Sequence, residues 1–117
     1  MKKVLLATLG ETPVVVTEAI DRLKIDGIRI DYIVILTTKD TDAQDALALL
    51  SEHIPVYYNN EVCLFDVRVL DTFYDVDTDE AALEFMKQTC AALRDYRKKN
   101  WEIYACIAGG RKVMSAL

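Results

Sequence analysis

Gly109, Gly110, Arg111 and Lys112 follow an apolar run, Trp101 to Ala108 (WEIYACIA), and Ser115 adds a hydroxyl one turn further on. Two glycines let a backbone come close to a ligand. A helix start just beyond them offers unpaired N–H groups and a partial positive charge, and together these make an anion site. Arg111 can fork two hydrogen bonds onto a phosphate, and Lys112 supplies a mobile point charge. Cations at a helix N-terminus oppose the helix dipole, so a bound anion explains them better than helix stability does. The plainer alternative is a glycine turn with two basic residues facing water.

Three other segments carry groups of interest. Gly10-Glu11-Thr12-Pro13 closes the first apolar run, and Thr8 and Thr12 bring hydroxyls suited to a phosphate or a ribose, although Thr12 equally suits a cap for a helix opened by Pro13. No G-x-G-x-x-G pattern is present, so no dinucleotide cofactor is expected, nor any other cofactor. Thr37 and Thr38 end the second apolar run, either as ligand contacts or as turn residues. In Asp71-Thr72-Phe73-Tyr74-Asp75, Phe73 or Tyr74 could stack on a base, with core or loop packing the simpler role. Asp71, Asp75, Asp77 and Asp79 crowd that loop without a calcium-loop pattern, so they are assigned to helix-start acidity and solvation. His53 is the one histidine, which removes most zinc and histidine-based chemistry, and no metal is expected.

The elements that must position these groups are read from hydrophobic periodicity. Lys2–Leu9 and Asp31–Thr38 are continuous apolar runs of strand length, as strands buried on both faces are. Between them Val15, Ala19 and Leu23, with Val16 and Ile20, recur at helical spacing, with Pro13 at the start and Gly27 at the stop. Asp40–His53 predicts a second amphipathic helix capped by Asp40 or Thr41, and Ile54–Glu61 is the least regular stretch. Val62–Leu70 predicts a third strand, Thr78–Asn100 a long third helix, Trp101–Ala108 a fourth strand, and Val113 onward the start of another helix. Arg94, Arg97, Lys98 and Lys99 at the end of the third helix read as a solvated, dipole-matched terminus. Strands alternating with helices predict right-handed crossovers and an α/β, Rossmann-like three-layer sandwich with a mostly parallel sheet. In such sheets ligands bind outside the carboxyl ends of the strands, where the four loops above all fall.

The whole chain of 117 residues fits one domain. With 52% hydrophobic residues it has the means to build a core, and no apolar run is long enough to span a bilayer. A cytoplasmic protein is expected, and Cys63, Cys90 and Cys106, odd in number and without CxxC spacing, read as buried small hydrophobes. The 14 Lys and Arg against 19 Asp and Glu give a net charge of −5, which argues against a broad surface for DNA or RNA duplexes and leaves room for a focused anion site.

VLLATLGETPVVVTEAI, IDYIVILTT and above all IAGGRKVMSAL resemble the CARF domain, the CRISPR-associated Rossmann fold of type III CRISPR accessory proteins. The resemblance covers essentially the whole chain. It implies a homodimeric sensor that binds cyclic oligoadenylate, often cyclic tetra-adenylate, in a groove across the dimer axis. It also implies that Gly10, Glu11 and Thr12 form a first ligand loop, that Gly109, Gly110, Arg111 and Lys112 form a second, and that Thr37 and Thr38 add contacts. Some CARF proteins cleave the ring slowly without metal. Lys112 would then stabilise charge, with Thr12 or Glu11 positioning the ribose. A generic nucleotide-binding α/β domain is the alternative outside the family. Most CARF proteins carry an effector domain after the sensor, and the chain stops at Leu117 within about two turns of a helix. The expectation is therefore an N-terminal part of a longer protein, truncated in that helix.

Overall fold

A computed structural model describes residues 1–70 and 79–106, apart from the side chain of Ala82. Within them strands and helices alternate as β1 (Lys3–Thr8), α1 (Val14–Ile25), β2 (Tyr32–Thr38), α2 (Thr41–Tyr57), β3 (Cys63–Leu70), α3 (Asp79–Lys98) and β4 (Glu102–Cys106). The sheet has the order β3-β2-β1-β4, and every pairing is parallel. The two continuously apolar runs occupy its centre, where a strand flanked on both edges and covered on both faces has no polar side to show. Leu6 of β1, for example, lies between Val34 of β2 and Ala105 of β4.

Alternation along β1 and β2 divides the interior in two. On one face Val16 and Ile20 of α1 and Ala46, Leu50 and Ile54 of α2 close over Leu5, Ala7, Leu9, Ile33 and Ile35. On the other, Ala81, Phe85, Ala92 and Tyr96 of α3 close over Val4, Leu6, Val34, Leu36 and Leu70. This is the three-layer, Rossmann-like sandwich the periodicity predicts. The buried line of α1 is centred on Val16 and Ile20, with Ala19 and Leu23 packed beside them, and Val15 is only half-buried.

Several expectations give way. β3 is an edge strand and is not buried on both faces: Asp66 and Arg68 face α3, where Arg68 pairs with Asp66 (3.1 Å) and Asp95 (2.9 Å) and the Tyr96 hydroxyl donates to Asp66 (3.0 Å). Between Ile33 and Val34 the β2–β3 register shifts by one residue, from Leu64 to Asp66, and passes over Phe65. Cys63 and Cys90 are exposed and Cys106 half-buried, because Cys63 starts the edge strand and Cys90 lies off the buried line of α3. Arg94, Arg97, Lys98 and Lys99 are exposed as expected, and Lys99 in addition holds its ammonium 5.2 Å from the centre of the Trp101 ring and within 5.8 Å of Phe65 and Tyr96. Trp101 in turn stacks between Tyr32 (5.1 Å) and Tyr96 (5.4 Å).

The second helix runs through Pro55 to Tyr57, past its expected end. In the last turn a proline forfeits one hydrogen bond, and fully buried Ile54 beside it keeps the turn in place. The three described helices then stop the same way. Gly27 (φ 84°), Asn59 (φ 54°) and Asn100 (φ 59°) turn left-handed, and the next N–H returns to a carbonyl five residues back: Ile28 to Leu23, Asn60 to Pro55, Trp101 to Tyr96. At Gly27 an added Cβ would meet nothing within 4 Å, so conformational strain alone sets the cost of Gly27→Ala. About 1–2 kcal/mol is expected, read as a lower urea midpoint at unchanged m-value.

Candidate functional site

From β1 the chain moves outward to β2 and β3 and then returns to the far side of β1 as β4, and the covering helix changes face at the same step. The sheet order therefore reverses between β1 and β4, which makes the crevice above their carboxyl ends the ligand position of this architecture. Ala7 of β1 pairs with Cys106 of β4 at that edge. Gly10, Glu11 and Thr12 leave β1 there, with Gly10 half-buried and Glu11 and Thr12 exposed. Gly109, Gly110, Arg111, Lys112 and Ser115, together with the expected helix start from Val113, lie outside the described residues, as do Asp71, Thr72, Phe73, Tyr74, Asp75 and Asp77.

The exit of β1 is pinned from β2. The Leu9 N–H donates to the Leu36 carbonyl (2.8 Å), and the fully buried Thr37 hydroxyl donates to the Leu9 carbonyl (2.8 Å). Thr37 thus spends its proton fixing the height of the first loop. Thr38, also buried, accepts the Asp40 N–H at 3.3 Å, and its carbonyl accepts the Gln44 side-chain amide at 2.7 Å, so it builds the turn into α2. Asp40 caps that helix through the Ala43 N–H. By contrast α1 starts behind Pro13 with no side-chain cap and no acidic residue in its first turn. Thr12 does not cap it; the Val16 N–H turns back to the Pro13 carbonyl (3.1 Å), and the Val14 and Val15 N–H groups have no side-chain cap.

Thr8, the last residue of β1, is only 2% exposed, and its hydroxyl has no hydrogen-bond partner among the described residues. By the alternation that puts Val4 and Leu6 toward α3, Thr8 faces the same side, next to the strand where the order reverses. A buried hydroxyl without a partner costs roughly 1–3 kcal/mol, a cost that a ligand's acceptor would offset. The sequence shows a hydroxyl at the strand end; its isolation depends on tertiary packing that periodicity does not reveal.

The groove beside the first loop has the wrong sign for an anion, although exposed Lys39 follows β2 at the same edge. A groove of about 390 Å³ between the first loop and α2 is lined by Glu11, Thr12, Pro13, Asp42, Asp45, Ala46 and Leu49. Among the described residues no group of three or more His, Cys, Asp or Glu is placed to hold a metal ion. Among them, too, no helix is long and apolar enough to cross a membrane.

A family model described as CRISPR-associated protein NE0113 (Cas_NE0113) matches residues 12–117. No curated protein matches the chain.

Proposed function

Because this chain belongs to the CRISPR-associated protein NE0113 family, we propose that it is a CARF-type sensor domain of CRISPR antiviral defence that binds cyclic oligoadenylate, cyclic tetra-adenylate foremost, across a homodimer. One observation carries the reading: β1 and β4 are paired neighbours flanking the order reversal, so the loops that follow them, from opposite ends of the sequence, arise at one crevice. Those are the loops whose residues, Gly10-Glu11-Thr12 and Gly109-Gly110-Arg111-Lys112, resemble ligand loops.

A ring with an even number of nucleotides can adopt two-fold symmetry, so a C2 dimer presents the same loops to both halves. Two copies of Arg111 and Lys112 bring four cations to a compact polyanion on an otherwise acidic protein. The uncapped start of α1 and the Thr8 hydroxyl add neutral donors. If the ring is cut, its own 2′-oxygen attacks the adjacent phosphorus and the bond to the 5′-oxygen breaks, leaving a 2′,3′-cyclic phosphate. The protein's part is then to align those atoms, with Thr12 or Glu11 on the ribose, and to stabilise developing charge through Lys112.

The test is a binding panel of cyclic tri-, tetra- and hexa-adenylate with product analysis in EDTA. Binding without linear product supports a sensor that controls an effector, and linear product in EDTA supports a metal-independent ring nuclease. Failure to bind any ring, with good binding of ATP, overturns the proposal in favour of a generic nucleotide domain. A companion variant isolates the orphan hydroxyl: Thr8→Val is expected to fold at least as stably as the parent, since it removes an unsatisfied buried group. The same variant should bind the ring at least about tenfold more weakly, since each protomer of the two-fold complex loses a hydrogen bond to the charged ligand.

A further inference from the structure

The outward face of α3 carries a line of residues unrelated to its buried one. Asp79, Leu83, Met86, Cys90, Leu93 and Arg97 follow one another at intervals of 4, 3, 4, 3 and 4 residues, the spacing of a coiled-coil seam. Leu83 is 54% exposed and Met86 45%, Asp79, Cys90 and Arg97 are exposed, and Leu93 is half-buried at the margin of the core. The order of intervals is the same from either end, while the charges at the ends are opposite.

A line of this kind complements itself when reversed. Set against an antiparallel copy, Leu83 meets Leu93, Met86 meets Cys90 and Asp79 meets Arg97, each pair occurring twice about a two-fold axis near residue 88. Glu80 beside the acidic end and Arg94 and Lys98 beside the basic end extend the match. A parallel, in-register pairing would instead set Asp79 on Asp79 and Arg97 on Arg97. The shallow groove of about 500 Å³ along Cys90, Leu93, Arg94, Arg97 and Lys98 offers the partner's Leu83 and Asp79 an apolar floor with a basic rim. We infer that α3 is a self-association surface that takes the α3 helix of a second copy of this chain in antiparallel orientation. The line spans about 27 Å of helix, five turns, which makes a small interface and a concentration-dependent association.

Because α3 connects two parallel strands, it runs against them. Antiparallel α3 helices therefore point the two crevices in opposite directions. This contact is separate from any pairing in which two copies share one ring, and it needs no ligand.

The test uses the Met86→Cys variant, oxidised in the absence of nucleotide, separated on a non-reducing gel and mapped after trypsin digestion. The expected result is a covalent dimer in which the thiol introduced at position 86 of one chain is joined to Cys90 of the other. Leu83→Glu in the same background should reduce that dimer at least about tenfold. Asp79→Arg should reduce it several-fold, and Asp79→Arg with Arg97→Asp should restore it, since the double exchange recreates the opposite-charge pairs. Every substituted position is a surface site, and circular dichroism verifies that each variant is folded. Absence of a dimer overturns the inference, as does a dimer linked in preference through two introduced thiols or through two copies of Cys90. Neither result touches the sensor proposal, because no ring is present.

Discussion

Lys112→Ala is expected to lower affinity for cyclic tetra-adenylate by about a hundredfold or more, and to abolish cutting if the ring is cut. The groove beside the first loop is lined by carboxylates from Glu11, Asp42 and Asp45, so in the proposed site Arg111 and Lys112 are the cations assigned to the ligand. A hydrogen bond to a charged group contributes about 1.5–3 kcal/mol, roughly tenfold to over a hundredfold in affinity. In a two-fold complex each substitution removes two such contacts, which multiplies the loss. Isothermal titration at two salt concentrations checks the cause. The parent should weaken as salt rises, and the variant should weaken less steeply, since it has fewer ion contacts left to screen. A variant that binds within about threefold of the parent would refute the assignment of Lys112 to the ligand.

The largest effect on folding is expected at Phe85, which is 1% exposed and the bulkiest of the fully buried side chains. It joins α3 to Val4, Leu6, Val34 and Leu36 on a face that, among the described residues, only this helix covers. Phe85→Ala removes the ring and leaves a cavity that a single helix and a stiff parallel sheet can only partly close, at a cost of about 3–5 kcal/mol. A domain of this size has about 5–15 kcal/mol of stability, so the variant loses a large share of it and its Tm should fall by about 10–25 °C. Phe85→Leu keeps most of the volume and should cost less than half as much. If the two substitutions destabilise equally by urea unfolding, packing volume at Phe85 is not what holds α3 down.

The two central strands and the three described helices can be read from the sequence because an apolar run or a 3.6-residue period survives any tertiary context. The edge strand is legible as a strand, read at Val62–Leu70 and found at Cys63–Leu70, but its burial is not. VCLFDVRVL contains Asp66 and Arg68, and only the arrival of Asp95 and Tyr96 from α3 makes their half-burial tolerable. The end of α2 is obscured for a local reason: Pro55 normally signals a stop, yet buried Ile54 and the Tyr58 hydroxyl donating to Asp21 (2.9 Å) carry the helix past it. At the carboxyl edge of the sheet, residue type cannot distinguish a threonine hydroxyl with a protein partner from one without. Thr37 and Thr8 are both buried hydroxyls at strand ends, and the difference is a carbonyl 2.8 Å from one and, among the described residues, no partner for the other.

The packing of Trp101 between Tyr32 and Tyr96, with Lys99 over its ring, has an optical consequence. It is the only tryptophan in the chain and sits just before β4, at the end of the sheet opposite the crevice. The length of β4 separates the two, about 16 Å. Its emission should therefore shift when α3 separates from the sheet during denaturation and stay flat while a ligand is titrated into the crevice. Folding and binding can then be followed in one cuvette by two independent signals, and a tryptophan shift on adding ligand would reveal a rearrangement running the full height of the domain.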